Sequence, residues 1–149
     1  MASRILVIDD NAGIVNIIRR ALEMAGHEVK TSEHGRDTLE LFESFAPELI
    51  ITDIILPDVD SIDTIMECRR RRPSIKIIAI SGNGHLLSVA EKHGVDYVLP
   101  KPFGPSQINA LVTTALIEKS SIPANAILPS IRLDCPSNAR SRRSAPQDG

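Results

Sequence analysis

Six consecutive residues, Ile50-Ile51-Thr52-Asp53-Ile54-Ile55, are apolar or β-branched apart from one aspartate. Bounded by Pro47 and Pro57, the run reads as a strand buried on both faces, as in parallel sheets covered by helices. Strands of that kind seldom carry a charge along their length, so Asp53 belongs where the strand runs out. In an open α/β sheet, the carboxyl ends of the strands are where ligands bind. That makes Asp53 a candidate reactive group.

Other strand-like runs end in chemistry too. Ile5-Leu6-Val7-Ile8 stops at Asp9-Asp10, Lys76-Ile77-Ile78-Ala79-Ile80 stops at Ser81, and Tyr97-Val98-Leu99 leads through Pro100 to Lys101. Between the runs lie stretches of helical period. Ile14, Ile17, Ile18, Ala21, Leu22 and Ala25 form the first stripe, closed by Gly26. Thr38, Leu41, Phe42 and Phe45 form the second. Ile62, Ile65, Met66 and Arg69 mark a third helix from Ser61 to about Arg71, with Asp60 and Asp63 as an N-cap pair. A short fourth helix runs from Leu86 to His93. The fifth opens at Gly104-Pro105 and buries Ile108, Leu111, Val112, Ala115 and Leu116. Glu28-Val29-Lys30-Thr31 is a less apolar strand, suited to a sheet edge. Five alternations of strand and helix imply a doubly wound parallel sheet with helices on both faces.

Bulk properties remove several function classes. The chain has 149 residues, 42% hydrophobic and 24% charged, which is ordinary for one soluble domain. Aromatics are only 3%, too few for a base-stacking RNA module. The net charge is −2; Arg132, Arg140, Arg142 and Arg143 against Asp134 and Asp148 give the last thirty residues +2, leaving −4 for the rest, so a nucleic-acid face is disfavoured. Cys68 and Cys135 stand at no metal or redox spacing and read as free thiols of a reducing compartment. No run approaches the length of a membrane span, and the N-terminus enters a strand at once, so a cytoplasmic location is expected. From Ser120 onward periodicity stops. Residues 1–119 are expected to form the domain, and 120–149 a disordered tail.

The strand-end groups suit phosphoryl chemistry. A carboxylate that accepts a phosphoryl group becomes an aspartyl phosphate. Asp9, Asp10 and Asp53 at neighbouring strand ends repel one another unless a cation sits among them, and Mg²⁺ held by a few carboxylates is the natural resolution. Lys101 supplies a compact positive charge and Ser81 a hydroxyl donor for phosphoryl oxygens.

With Asp9-Asp10, Asp53 before Ile54-Ile55-Leu56-Pro57, Ser81-Gly82 and Lys101-Pro102-Phe103 in order over residues 4 to about 118, the sequence resembles the receiver domain of two-component response regulators. The resemblance implies the flavodoxin-like (βα)5 fold with strand order 2-1-3-4-5. It implies that Asp53 is the phosphoacceptor, supplied by a histidine kinase or a histidine phosphotransfer protein. Asp10 and Asp53 would ligate Mg²⁺ together with the Ile55 backbone carbonyl, and Asp9 would hold a metal-bound water. Ser81 and Lys101 would take the phosphoryl oxygens, and the Lys101-Pro102 bond would be cis. A stand-alone receiver is expected, acting by phosphorelay or by partner binding through the face of helix four, strand five and helix five.

Three positions depart from the family pattern. Val98 stands where an aromatic usually reports phosphorylation, and Tyr97 beside it points to the opposite face. Ser61 replaces a loop glycine. Ile55 and Asn83 fill the variable positions that tune dephosphorylation, and an apolar Ile55 cannot orient an attacking water.

Plainer readings accompany these. Arg69 to Arg72 is expected to be a solvated helix end, and His27, His34, His85 and His93 to be surface residues. The rival functions are an aspartate-dependent phosphohydrolase, which lacks its usual second aspartate because that place is Ile55; a receiver cut from a longer transcriptional regulator; and a nucleic-acid binder driven by the tail arginines.

Overall fold

In the computed structural model the described residues run from Ser3 to Ser121, with side chains to Ile117. The expected tail therefore lies, from residue 122 on, outside the described residues, as does Cys135. Five strands alternate with five α-helices: β1 (Arg4–Ile8), α1 (Ala12–Met24), β2 (Glu28–Ser32), α2 (Thr38–Phe45), β3 (Leu49–Asp53), α3 (Ser61–Arg71), β4 (Lys76–Ser81), α4 (Gly84–Lys92), β5 (Tyr97–Pro100) and α5 (Pro105–Ser121). The strands form one sheet in the order β2-β1-β3-β4-β5, with every pairing parallel.

Alternation along the strands divides the core in two. Ile5, Val7, Leu49, Ile51, Ile78 and Ile80 pack with Ile18, Leu22, Ile108 and Val112, so α1 and α5 cover one face. Leu6, Ile8, Ile50, Ile77 and Ala79 pack with Phe42, Ile65, Cys68 and Ala90, so α2, α3 and α4 cover the other. The β3 strand is buried over its whole length, in keeping with its apolar composition. The less apolar β2 lies at the sheet edge.

Helix faces differ in detail from the periodicity. In α1 the buried residues are Val15, Ile18, Ala21 and Leu22, while Ile17 is exposed. In α3 they are Ser61, Ile65 and Cys68, with Met66 exposed. An apolar side chain one step off the i, i+3, i+7 line lies at the stripe's flank, and packing geometry decides which of two neighbours goes in. The α4 helix begins at Gly84, two residues before the expected start, because the Asn83 side chain accepts from Leu86 N and caps it. Asp60 accepts from Asp63 N and caps α3. A 3-10 turn at Gly35–Asp37, unmarked by hydrophobic period, precedes α2.

The arginine run at the end of α3 is not a freely solvated terminus. Arg69 pairs with Asp96 at 2.6 Å, and Arg71 bridges Glu67 at 2.7 Å and Glu43 of α2 at 2.8 Å. Arg70 pairs with Glu67, and Arg72 stacks over the buried Phe42 ring at 4.4 Å. Asp96 also accepts from Ile77 N at 2.8 Å, which ties the helix end to the start of β4.

Candidate functional site

The register of the sheet sets the site. Ile8 lies opposite Thr52, Asp53 opposite Ile80, and Ser81 opposite Pro100, so the residues that end β1, β3, β4 and β5 come level at one edge. Asp9 is 0% exposed, Asp53 4% and Ser81 1%, whereas Asp10 is exposed. Buried carboxylates persist only when paired or hydrogen-bonded, and these two are both. Lys101 Nζ lies 2.8 Å from Asp53 Oδ2 and 3.0 Å from Asp9 Oδ2. Asn11 N donates to Asp9 Oδ1 at 2.9 Å, and Ile55 N donates to Asp53 Oδ1 at 2.8 Å. Thr52 Oγ1 donates to the Asp53 carbonyl at 2.9 Å.

The Lys101 N–H donates to the Ser81 carbonyl at 2.9 Å, which holds Lys101 against the end of β4; the Lys101–Pro102 peptide is cis, as the resemblance implies. Ser81 Oγ accepts from Asn83 N at 3.0 Å. One loop therefore fixes both the hydroxyl and the N-terminus of α4.

Burial pushes the Asp9 carboxyl above the usual carboxylate range, partly offset by the Asn11 amide and the Lys101 ammonium. Burial also opposes the Lys101 charge, but hydrogen bonds to Asp53 and Asp9 win and hold the ammonium above its ordinary value.

The donor set fits a hard divalent cation. Ligand oxygens of Asp9, Asp10 and Asp53 all lie within 4.8 Å of one another. Their three formal charges exceed that of the one lysine among them by two. Asp9 Oδ2 is sealed from solvent, and the charge beside it is the Lys101 ammonium at 3.0 Å. An all-oxygen, two-charge deficit of this kind matches Mg²⁺.

The side chains expected at the site thus fall together: Asp9, Asp10, Asp53 and Lys101 form the cluster, and Ser81 ends the adjoining strand. The Ile55 backbone folds against Asp53, while its side chain is 51% exposed. Val98 packs on the α2–α4 side of the sheet and Tyr97 on the α1–α5 side. His85 is exposed and no contact ties it to the cluster, whereas His27 is half-buried against the expectation of a surface residue, with Nδ1 unpaired. The sequence reading gives Asn11 no role and marks Asn83 only as a variable position, yet both are positioning residues. Asn11 caps α1 while its own amide anchors Asp9, and Asn83 caps α4 while its amide anchors Ser81. Both had a signal, an asparagine directly before a periodic apolar run.

A family model described as the response regulator receiver domain matches residues 5–113. The chain is 31% identical over 126 residues to the alkaline phosphatase synthesis transcriptional regulatory protein PhoP of Bacillus subtilis, covering 83% of this chain and 52% of that protein. It is 32% identical over 111 residues to the chemotaxis protein CheY of Thermotoga maritima, covering 72% of this chain and 92% of the relative. The CheY-like receiver domain protein of Methanospirillum hungatei superposes with a TM-score of 0.75 at 28% identity, over 80% of this chain and 97% of that one. The chain thus spans about half the length of the PhoP relative and most of the CheY relative. No helix among the described residues is long and apolar enough to cross a membrane.

Proposed function

The chain belongs to the response regulator receiver domain family, and on that premise we propose that Asp53 is its phosphoacceptor, charged from the phosphohistidine of a kinase or a phosphotransfer protein. The observation that carries the reading is the Lys101 ammonium bridging Asp53 and Asp9 inside an acidic cluster at the carboxyl edge of the sheet. Receiver domains are phosphoacceptor signalling domains and bind Mg²⁺ at an acidic pocket of this kind. In this chain Asp9, Asp10, Asp53 and the Ile55 carbonyl would hold the ion. When bound it neutralises the phosphoryl oxygens that would otherwise be repelled by the cluster.

The residues divide the work. An Asp53 carboxylate oxygen forms the new bond to phosphorus as the bond to the donor nitrogen breaks. The Lys101 ammonium and the Ser81 hydroxyl meet the incoming oxygens, the lysine exchanging its contact with Asp53 for one with the phosphoryl group. Residues 1–119 form the domain that carries this chemistry, and its location is cytoplasmic, where such donors act.

The test is intact mass after incubation with a small phosphodonor and Mg²⁺, alongside Asp53→Asn and a chelated sample. One added phosphoryl group, lost in both controls, is expected. Unchanged mass with both the small donor and a phosphohistidine protein would overturn the proposal. A phosphohydrolase is disfavoured because Ile55 offers no acid or base. A second reading, a receiver within a longer transcriptional regulator, rests on the chain's spanning 52% of the PhoP relative. An in-frame continuation of the gene would establish it.

A further inference from the structure

Beneath the loop that follows β3, between that strand and helices α2 and α3, lies a small cavity outside the acidic cluster. Leu56, Ile65 and Cys68 form its apolar wall, and the hydroxyl-bearing Thr38, Thr52 and Ser61 line it as well. Ser61 is 3% exposed, and its Oγ has no hydrogen-bond partner among the protein groups. A buried hydroxyl left in that state costs free energy that native folds rarely tolerate. Thr38 and Thr52 are buried residues as well, each 4% exposed. Thr52 Oγ1 already donates its proton to the Asp53 carbonyl, which leaves its lone pairs to accept. The cavity has room for about one water, and a buried water needs two to four polar partners.

We propose that this cavity is a structural hydration site, in which one water is held by Ser61 Oγ together with the Thr38 and Thr52 hydroxyls. The water would join the first residue of α2, the first residue of α3 and the penultimate residue of β3. It would thus stitch both helix starts to the strand immediately beneath Asp53. The small volume limits the site to one water, and the mostly apolar remainder of the wall, in which the Thr64 hydroxyl is already spent on the Asp60 carbonyl, would admit no charged ligand.

The sign of a single substitution separates the alternatives. If Ser61 Oγ were simply orphaned, Ser61→Ala would remove an unmet polar group and stabilise the chain. If it holds the water, the same change strips a partner from it, and the folding equilibrium constant falls about three- to tenfold. Thr38→Val, which keeps the shape and removes the hydroxyl, is expected to behave alike. The double variant should lose less than the product of the two, because both act on one water. Equilibrium denaturation of the full chain measures all three, and a high-resolution crystal structure locates the water. A peak within hydrogen-bonding distance of Ser61 Oγ and one of the threonines, with coupled losses, is the expected result. Absence of that peak overturns the proposal whatever the stabilities, and so does a peak accompanied by neutral, stabilising or strictly additive substitutions.

Discussion

Ile55 stands half exposed next to the Asp53 carboxylate, to which its own N–H donates, and its side chain offers nothing that can hold or deprotonate a water. Hydrolysis of an Asp53 phosphate is therefore expected to be slow, with a lifetime well beyond seconds in Mg²⁺ buffer, followed by acid-quenched radiolabel or mass. Ile55→Glu should shorten that lifetime by about tenfold, since a positioned base is worth at least that much. Equal lifetimes would mean that water is oriented by another group. In the wall of the cavity between β3, α2 and α3, Cys68 is wholly buried, and that burial pushes its thiol up to about 11. A thiol whose folded value is raised stabilises the fold below the unfolded value near 9 and loses that contribution as pH rises toward 11. Native labelling of Cys68 at pH 8, read by peptide mapping, should be far slower than in denaturant; equal rates would show that the site opens readily.

At the scale of elements, two links that no periodicity announces hold the loops in place. Asp58, in the loop after β3, accepts from Gly35 N at 3.1 Å and from Arg36 N at 3.0 Å. These amides hold its carboxyl below the usual range. A Cβ at Gly35 would collide with Val59 Cγ2 and crowd Leu56 Cδ1. Gly35→Ala should therefore destabilise the chain by about 1–3 kcal/mol, measured by urea denaturation, and a neutral result would show that the loop yields. The arginines of α3 make the complementary link, from helix end to α2 and to β4. Arg71 and Glu43 are 28 residues apart in sequence, and Asp58 and Gly35 are 23 apart. Pairings over such distances depend on the assembled layers, which explains why the run Arg69 to Arg72 reads as solvated in isolation. The elements themselves were legible, because Pro47, Pro57 and Gly26 punctuate runs whose period changes from two to 3.6. The inward choice between neighbours such as Val15 and Ile17 was not, since both flank the same stripe.

For the molecule as a whole, the acidic edge was readable because β1, β3 and β4 are apolar runs that each give way, at their carboxyl ends, to charged or hydroxyl-bearing residues. What the sequence withheld was the apportioning of contacts: Asp9, not Asp10, is the buried partner of Lys101. The excess of two negative charges at that edge predicts a stability that rises with Mg²⁺. At a hundred times the dissociation constant the gain is about 2.7 kcal/mol, seen as an increase of several degrees in Tm by calorimetry. Asp53→Asn should blunt that rise, and an unaltered Tm in Mg²⁺ would show that the carboxylates hold no ion.

The placement of Tyr97 has a spectroscopic consequence. It is the one tyrosine of a chain without tryptophan, and it packs on the α1–α5 side of the sheet, away from the layer that receives Val98. Intrinsic emission will therefore stay nearly constant through ion binding and phosphoryl transfer. A reporter has to be introduced, and Val98→Trp places one on the face where the built-in chromophore is blind.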